Sequence, residues 1–239
     1  MQYRGSYLGV FWTLLSPLLM LGIYTFVFGY VFGGSFENET PIEHALGIFV
    51  GLAIHNFIAE MIVTTPQLMQ SNAAFVKKVV FPLEVLVAAR LGASLLTLVI
   101  KSALILSTAL FLGKTPSMNI FGILALLSTL IVLAAGLGLF FAAIGVFVKD
   151  LSNAAQFMSM ALLFGSAVFY PIAKIPPQAW GFLNLNPLVH IIDAVRNVVL
   201  WDQAIPAARY LVPCLTSIGL FALGSYVFQK LKPAFSDFL

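Results

Sequence analysis

Charge is what this sequence has least of. Asp, Glu, Lys and Arg make up 9% of its 239 residues, where a soluble domain carries ~25%, while 61% are hydrophobic and the mean hydropathy is +1.02. A water-soluble globule is excluded. Several apolar runs approach or exceed the ~20 residues that take a helix across ~30 Å of hydrocarbon, a pattern of helices rather than of alternating barrel strands. Cysteine is almost missing: Cys214 stands alone in an apolar run, which rules out an intrachain disulfide. Converging chemical groups are missing too. His44, His55 and His190 are scattered, the intramembrane acids are not paired with one another, and Gly165-Ser166 lacks the Gly-x-Ser-x-Gly setting. Gly113-Lys114-Thr115 superficially resembles a phosphate loop, but Thr108 stands where that pattern needs glycine. The chain is therefore expected to bind no metal and no cofactor. A cleavable signal is not expected either, because the first apolar run is too long and further spans follow it.

What is present predicts an all-α polytopic membrane protein, a single transmembrane domain over 1–239 with six spans. The runs lie near 8–32, 45–66, 83–112, 120–148, 154–170 and 210–228. Pro17 is expected to bend the first. The segment 33–44 carries Glu37, Glu39 and Glu43 without a basic residue, as an external loop would. Its Asn38-Glu39-Thr40 sequon is read as a chance match. In the fourth span Ala134, Gly138 and Ala142 recur at four-residue steps, which lets helices approach closely.

The stretch 67–83 is the one long polar break in the first half, and the other loops are placed by reference to it. Lys77 and Lys78 put it on the cytoplasmic side, because basic residues in short loops are retained there. The net charge of +3 speaks to topology and anionic lipid, not to nucleic acid. Six basic residues fall inside (Arg4, Lys77, Lys78, Lys149, Lys230, Lys232) against Glu84, Asp150 and Asp237. Outside, Lys114, Lys174, Arg196 and Arg209 face five acids. Both termini are accordingly expected in the cytoplasm.

Three charges fall well inside spans, away from their ends, where each costs about 2.5–3.5 kcal/mol at mid-bilayer and must face protein or water. Glu60 and Arg90 lie at similar distances from the inner ends of adjacent spans, which predicts an ion pair. Lys101, eleven residues after Arg90, returns to nearly the same helix face and either snorkels outward or lines a passage. From 171 to 206, breakers alternate with apolar pieces too short to cross: Tyr170-Pro171, Pro176-Pro177, Trp180 and Asn184-Leu-Asn-Pro187. Two short helices are predicted. Asn186 and Pro187 suit the cap and first turn of the second, in which Leu188, Ile191, Ile192, Val195, Val198 and Val199 form one face. Asp193 and Arg196 are placed on another face. At about fourteen residues this helix is re-entrant or interfacial: an external plug, or a lid that seals the bundle. Pro171, Trp180, Asn186, Pro187 and Arg196 are its candidate gate residues.

Several pieces occur in one order over nearly the whole chain: Tyr3-Arg-Gly-Ser-Tyr-Leu-Gly-Val-Phe-Trp12 with Pro17, Phe81-Pro-Leu-Glu84, Lys149-Asp150-Leu151, Tyr170-Pro171, and Leu185-Asn-Pro-Leu188 with Arg196. Together they resemble the permease subunit of bacterial ABC exporters of lipid-linked polysaccharide, the O-antigen, capsule and teichoic-acid group. That family commonly has Arg-Asp where Lys149-Asp150 stands, and an amphipathic interfacial helix before the Tyr-Arg-Gly-Ser piece, a part the resemblance does not reach here. The resemblance implies a multi-pass protein of the bacterial inner membrane, two copies forming a passage, and two ATP-binding subunits that hold ATP and Mg. Ala73, Ala74, Phe75, Val76, Lys77 and Lys78 would be the ATPase-coupling segment. Arg4 would meet the diphosphate of a polyprenyl-linked polysaccharide, since guanidinium binds phosphate bidentately. Tyr7, Trp12, Phe157 and Tyr170 would stack on sugars. Two other functions compete: an ABC exporter of small amphiphiles, and an integral-membrane lipid-phosphate enzyme.

Overall fold

The computed structural model describes residues 12–31, 40–77, 81–114, 120–201 and 208–238, and among them every regular element is a helix. Apolar sequence gives helices in hydrocarbon because each backbone N–H and C=O must then be satisfied within its own segment. Helix α1 (Trp12–Tyr24) carries Pro17 in its interior and passes into a π-helical segment, Thr25–Val31. Among the described residues four helices are long and apolar enough to span: α2 (Pro41–Thr64), α5 (Glu84–Phe111), α6 (Ile120–Phe147) and α10 (Ala208–Leu231). Between α2 and α5 lie two single turns, α3 (Leu68–Ser71) and α4 (Ala73–Val76). Shorter elements complete the chain: α7 (Leu151–Phe164), α8 (Pro177–Leu183), α9 (Pro187–Leu200) and α11 (Phe235–Phe238). This is a multi-pass helical membrane protein.

The bundle is built around α2. Its first turn is fixed by a capping box: Thr40 Oγ1 accepts from the Glu43 N–H at 3.3 Å, and the Thr40 N–H donates to Glu43 Oε2 at 2.8 Å. From His44 to Ile62 it is buried on nearly every face, packed by α5, α7, α9 and α6. Pro66 ends it, with Thr64 and Thr65 folding their hydroxyls back onto the Glu60 and Met61 carbonyls, each at 2.6 Å.

The closest helix pair is α6 with α10, and glycine makes it possible. A Cβ on Gly224 would sit 2.1 Å from the Gly136 carbonyl oxygen, and one on Gly136 would sit 2.5 Å from Phe221 Cα. Backbone therefore meets backbone, where dispersion is densest and no hydrophobic drive exists between apolar helices in lipid. The small-residue series Ala134, Gly138 and Ala142 is buried as well, with Gly138 facing Met61 and Val87.

Among the described residues, three ion pairs fasten α5 along its length. Lys114, just past its end, meets Glu43 at 2.6 Å; Arg90 meets Glu60 at 2.5 Å; and Glu84, its first residue, meets Lys232 of the C-terminal tail at 2.7 Å. That tail folds under the bundle, where Phe235 is wholly buried between Phe147 and Phe228.

One expected span is shorter than its apolar sequence. The run 154–170 predicts a crossing helix, whereas α7 has 14 residues, about 21 Å at 1.5 Å per residue, and stops at Gly165. The backbone then reverses through Ala167, whose φ of 54° lies in the left-handed region. Side chains from α9 capture that reversal, as described below, so continuing hydropathy does not continue the helix.

Candidate functional site

Beyond its first turn, α2 is exposed along a narrow and mostly polar stripe. Asn56 is exposed, Glu60 and Thr64 are half-exposed, and Gln67 beyond the helix end is exposed, at steps of three or four residues that put them on one stripe. Burial of the rest of α2 is complete enough that a lipid-facing helix cannot be meant by this stripe. Arg90 from α5 reaches across it: its Nη2 donates to Glu60 Oε1 at 2.5 Å and its Nε donates to Thr64 Oγ1 at 2.9 Å. Both Glu60 and Arg90 keep 27% of their side chains exposed, so the pair lies at the edge of an opening. Lys101, half-buried, lies one face-repeat further along α5.

Beside this pair the helices part into a polar recess. Thr64, Gln67 and Ser71 line one side, Arg90 a second, and Ser152, Asn153 and Gln156 of α7 the third. Further along α7, His55 Nε2 donates to the Ser159 carbonyl at 3.0 Å, which holds α7 against α2.

At this same end of the bundle lies the turn that connects α2 to α5. Met69 and Val76 anchor it by burial, and Gln70 Nε2 donates to the Gly145 carbonyl at 3.1 Å. Gly145 in turn allows the approach of Pro66, whose carbonyl oxygen is 2.1 Å from where a Cβ would lie. Ala73 to Val76 form α4, and Lys77 caps it. Phe75 is 40% exposed although its ring lies 5.0 Å from that of Phe81, tilted by 40°. Lys78 lies outside the described residues. A groove between this turn and the tail is lined by Val76, Lys77 and Phe81 on one side and Lys232 and Ser236 on the other.

At the opposite end, α8 and α9 take the form their breakers predict. Asn186 caps α9, its Oδ1 accepting from the Leu188 N–H at 3.0 Å, with Pro187 in the first turn. The same side chain donates from Nδ2 to the Gly165 carbonyl at 2.8 Å and to Ser166 Oγ at 3.1 Å. Arg196 differs from its expected placement: it is 2% exposed and points into the bundle. Its Nε donates to the Gly47 carbonyl at 2.8 Å, Nη1 to Ala167 at 2.9 Å and Nη2 to the Val168 carbonyl. Four residues after Ile192 and three before Val199, it shares their buried face, and charge alone misplaced it. Pro171 leads into a single 3-10 turn, Ile172–Lys174, and Trp180 of α8 meets His190 edge-on at 6.1 Å.

The aromatic candidates divide. Phe157 is 74% exposed on α7, and Tyr170 donates its hydroxyl to the Phe164 carbonyl at 2.6 Å. Trp12 begins α1, but its side chain, like Arg4 and Tyr7, lies outside what is described. A different aromatic set converges instead: Phe28 stacks on Phe169 at 5.6 Å, Tyr24 lies 6.1 Å from Phe28, and Phe164 lies 5.9 Å from Phe169. Sequence reasoning missed this cluster and the polar recess. Period-3.6 spacing of Asn56, Glu60, Thr64 and Gln67 was the available signal for the latter. Among the described residues no three His, Cys, Asp or Glu side chains gather in a way that could hold a metal.

Known proteins resemble this chain over most of its length. The O-antigen export system permease protein RfbA of Klebsiella pneumoniae is 24% identical over 239 residues, covering 100% of this chain and 90% of that protein. The polysialic acid transport protein KpsM of Escherichia coli is 25% identical over 193 residues, 81% of this chain and 74% of that protein. The daunorubicin resistance ABC transporter permease protein DrrB1 of Streptomyces coeruleorubidus is 27% identical over 222 residues, 88% of this chain and 76% of that protein. The family model described as ABC-2 type transporter matches residues 1–200, most of the chain, and the protein belongs to that ABC-2 type transporter family.

Proposed function

We propose that this chain is the membrane-spanning subunit of an ABC exporter that moves lipid-linked polysaccharide, O-antigen in particular, across the bacterial cytoplasmic membrane. The observation that carries the reading is the polar stripe of α2 with Arg90 across it, open along the side of an otherwise apolar bundle. Such groups are costly against lipid and serve a hydrated, polar cargo. The names of the RfbA and KpsM relatives support a polysaccharide as that cargo.

In this reading six segments cross, α1 with its π-helical continuation and α7 together with the turn that follows Gly165 completing the four long spans, and both termini lie in the cytoplasm. The whole chain is one permease domain. Two copies enclose the passage, and Phe157, Tyr170, Tyr7, Trp12 and Lys101 line it. Each copy sits on a separate subunit that binds ATP and Mg, and the turn Ala73 to Lys78 transmits nucleotide-driven closure to α2 and α5. Arg4 meets the diphosphate of the polyprenyl carrier. Pro171, Trp180, Asn186 and Pro187 form the external gate, braced from inside by Arg196.

The relative named for daunorubicin resistance supports a second reading, export of small amphiphiles. Purified complex separates the two. Lipid-linked glycan should stimulate ATP hydrolysis while small amphiphiles leave it unchanged; the reverse pattern would reassign the cargo. Purification of a stable, active chain with no ATPase partner would remove both.

A further inference from the structure

The recess between α2, α5 and α7 is built differently from a simple charged entry. Arg90 is the single cation among the groups that line it; Thr64, Gln67, Ser71, Ser152, Asn153 and Gln156 bring neutral hydrogen-bonding side chains, and Val63 and Leu68 give the wall an apolar part. Among the described residues, the hydrogen bonds of Arg90 go to Glu60 and Thr64, using two of the five N–H donors of a guanidinium and leaving three for a ligand. Gln67, Ser71, Asn153 and Gln156 are all solvent-accessible. Their amides and hydroxyls both donate and accept, which suits the hydroxyls of a sugar ring, whereas a bare anion uses only their donors. Arg90 lies six residues into α5, about 9 Å along its axis at 1.5 Å per residue, so the recess runs from the end of the bundle inward. One fixed cation beside a fan of amides at that depth matches a phosphate joined to a sugar.

We infer that this recess seats the phosphate–sugar junction of a phosphoglycolipid. Arg90 takes a phosphate oxygen, and Gln67, Ser71, Asn153 and Gln156 take the first sugar. The inference rests on the export reading above and adds to it the part of the cargo that is recognised and the residues that recognise it. Glu60 is a positioning residue: it holds the guanidinium toward the opening and prevents a second anion from binding tightly in its place.

The test uses the permease–ATPase complex in nanodiscs and two probes, a polyprenyl diphosphate carrying one hexose and the same polyprenyl diphosphate without it. Retention of each labelled probe is measured, with phosphatidylglycerol as competitor. The double variant Asn153→Ala with Gln156→Ala touches exposed side chains and leaves the ion pair in place. It should weaken the hexose probe about tenfold, the loss of roughly two neutral hydrogen bonds, and leave the sugar-free probe unchanged. Arg90→Lys should weaken both probes by a similar factor, because one point charge replaces a fork. Equal losses for the two probes in the double variant, or competition by phosphatidylglycerol at similar concentration, would overturn the site. Stimulation of ATP hydrolysis by full lipid-linked glycan in those same variants at wild-type level would overturn the site and leave the export reading standing. No response of the wild-type complex to any glycolipid would remove both.

Discussion

Asn186 and Gly165 are joined by a 2.8 Å hydrogen bond that ties the cap of α9 to the end of α7. One amide therefore serves two helices, its oxygen closing the first turn of one and its nitrogen holding the last carbonyl turn of the other. Replacement by Asp keeps the capping oxygen and loses the donor; replacement by Ala loses both. Asn186→Ala should lower stability by about 1–2 kcal/mol, and Asn186→Asp by less. Thermal unfolding in detergent, followed for both variants, gives the order; equal loss would mean that only one of the two contacts matters.

The α6–α10 contact yields an internal control. Gly224→Ala places a methyl 2.1 Å from the Gly136 carbonyl oxygen, so the helices must separate. Overpacking of this kind costs about 1–3 kcal/mol. Gly219, on the same helix, has open space for 4 Å around the place a Cβ would take, and Gly219→Ala should be neutral or slightly stabilising. Similar behaviour of the two variants in thermal unfolding would show that this close approach is not present in the folded protein.

The Glu60–Arg90 pair is expected to act as a unit. Breaking a buried pair by removing one partner costs about 3–5 kcal/mol, and the 27% exposure of each side chain reduces that figure here. Glu60→Gln and Arg90→Gln should each destabilise, and the two together should cost less than the sum of the singles. A double-mutant cycle on thermal stability measures the coupling, and strict additivity would show that the two side chains do not meet.

Much of this architecture is legible from residue types alone, and the reason it stops where it does is physical. Helix α9 is readable because its cap, first-turn proline and apolar period are local signals. The meeting of Glu60 with Arg90 follows from depth counting on adjacent helices, since an ion in hydrocarbon must find its partner. Three features escape local reading. Arg196 shares the buried face of Ile192 and Val199, yet a charge in sequence is assigned to the surface by default; only the Gly47, Ala167 and Val168 carbonyls that receive it reveal its place. Helix α7 ends early because those same bonds capture backbone that hydropathy alone would extend. The recess joins Gln67, Arg90 and Asn153 from three elements, and no periodicity within one element reports such a meeting.

The last prediction concerns the turn between α2 and α5. Its fold is secured by Met69, Val76 and the Gln70 bond to Gly145, all of which point into the bundle. Exposed Lys77 is not among those anchors, so charge reversal at Lys77 and Lys78 should leave thermal stability unchanged. If a motor subunit docks here, the same reversal should weaken co-purification of the complex and reduce stimulated ATP hydrolysis, more strongly at low salt because exposed charges are screened beyond ~10 Å at 0.1 M. Phe75→Ala should add to the loss without any salt dependence, because the contact it removes is apolar. Undiminished coupling in both variants would return this turn to the role of an ordinary connection, with its basic pair serving only to fix orientation.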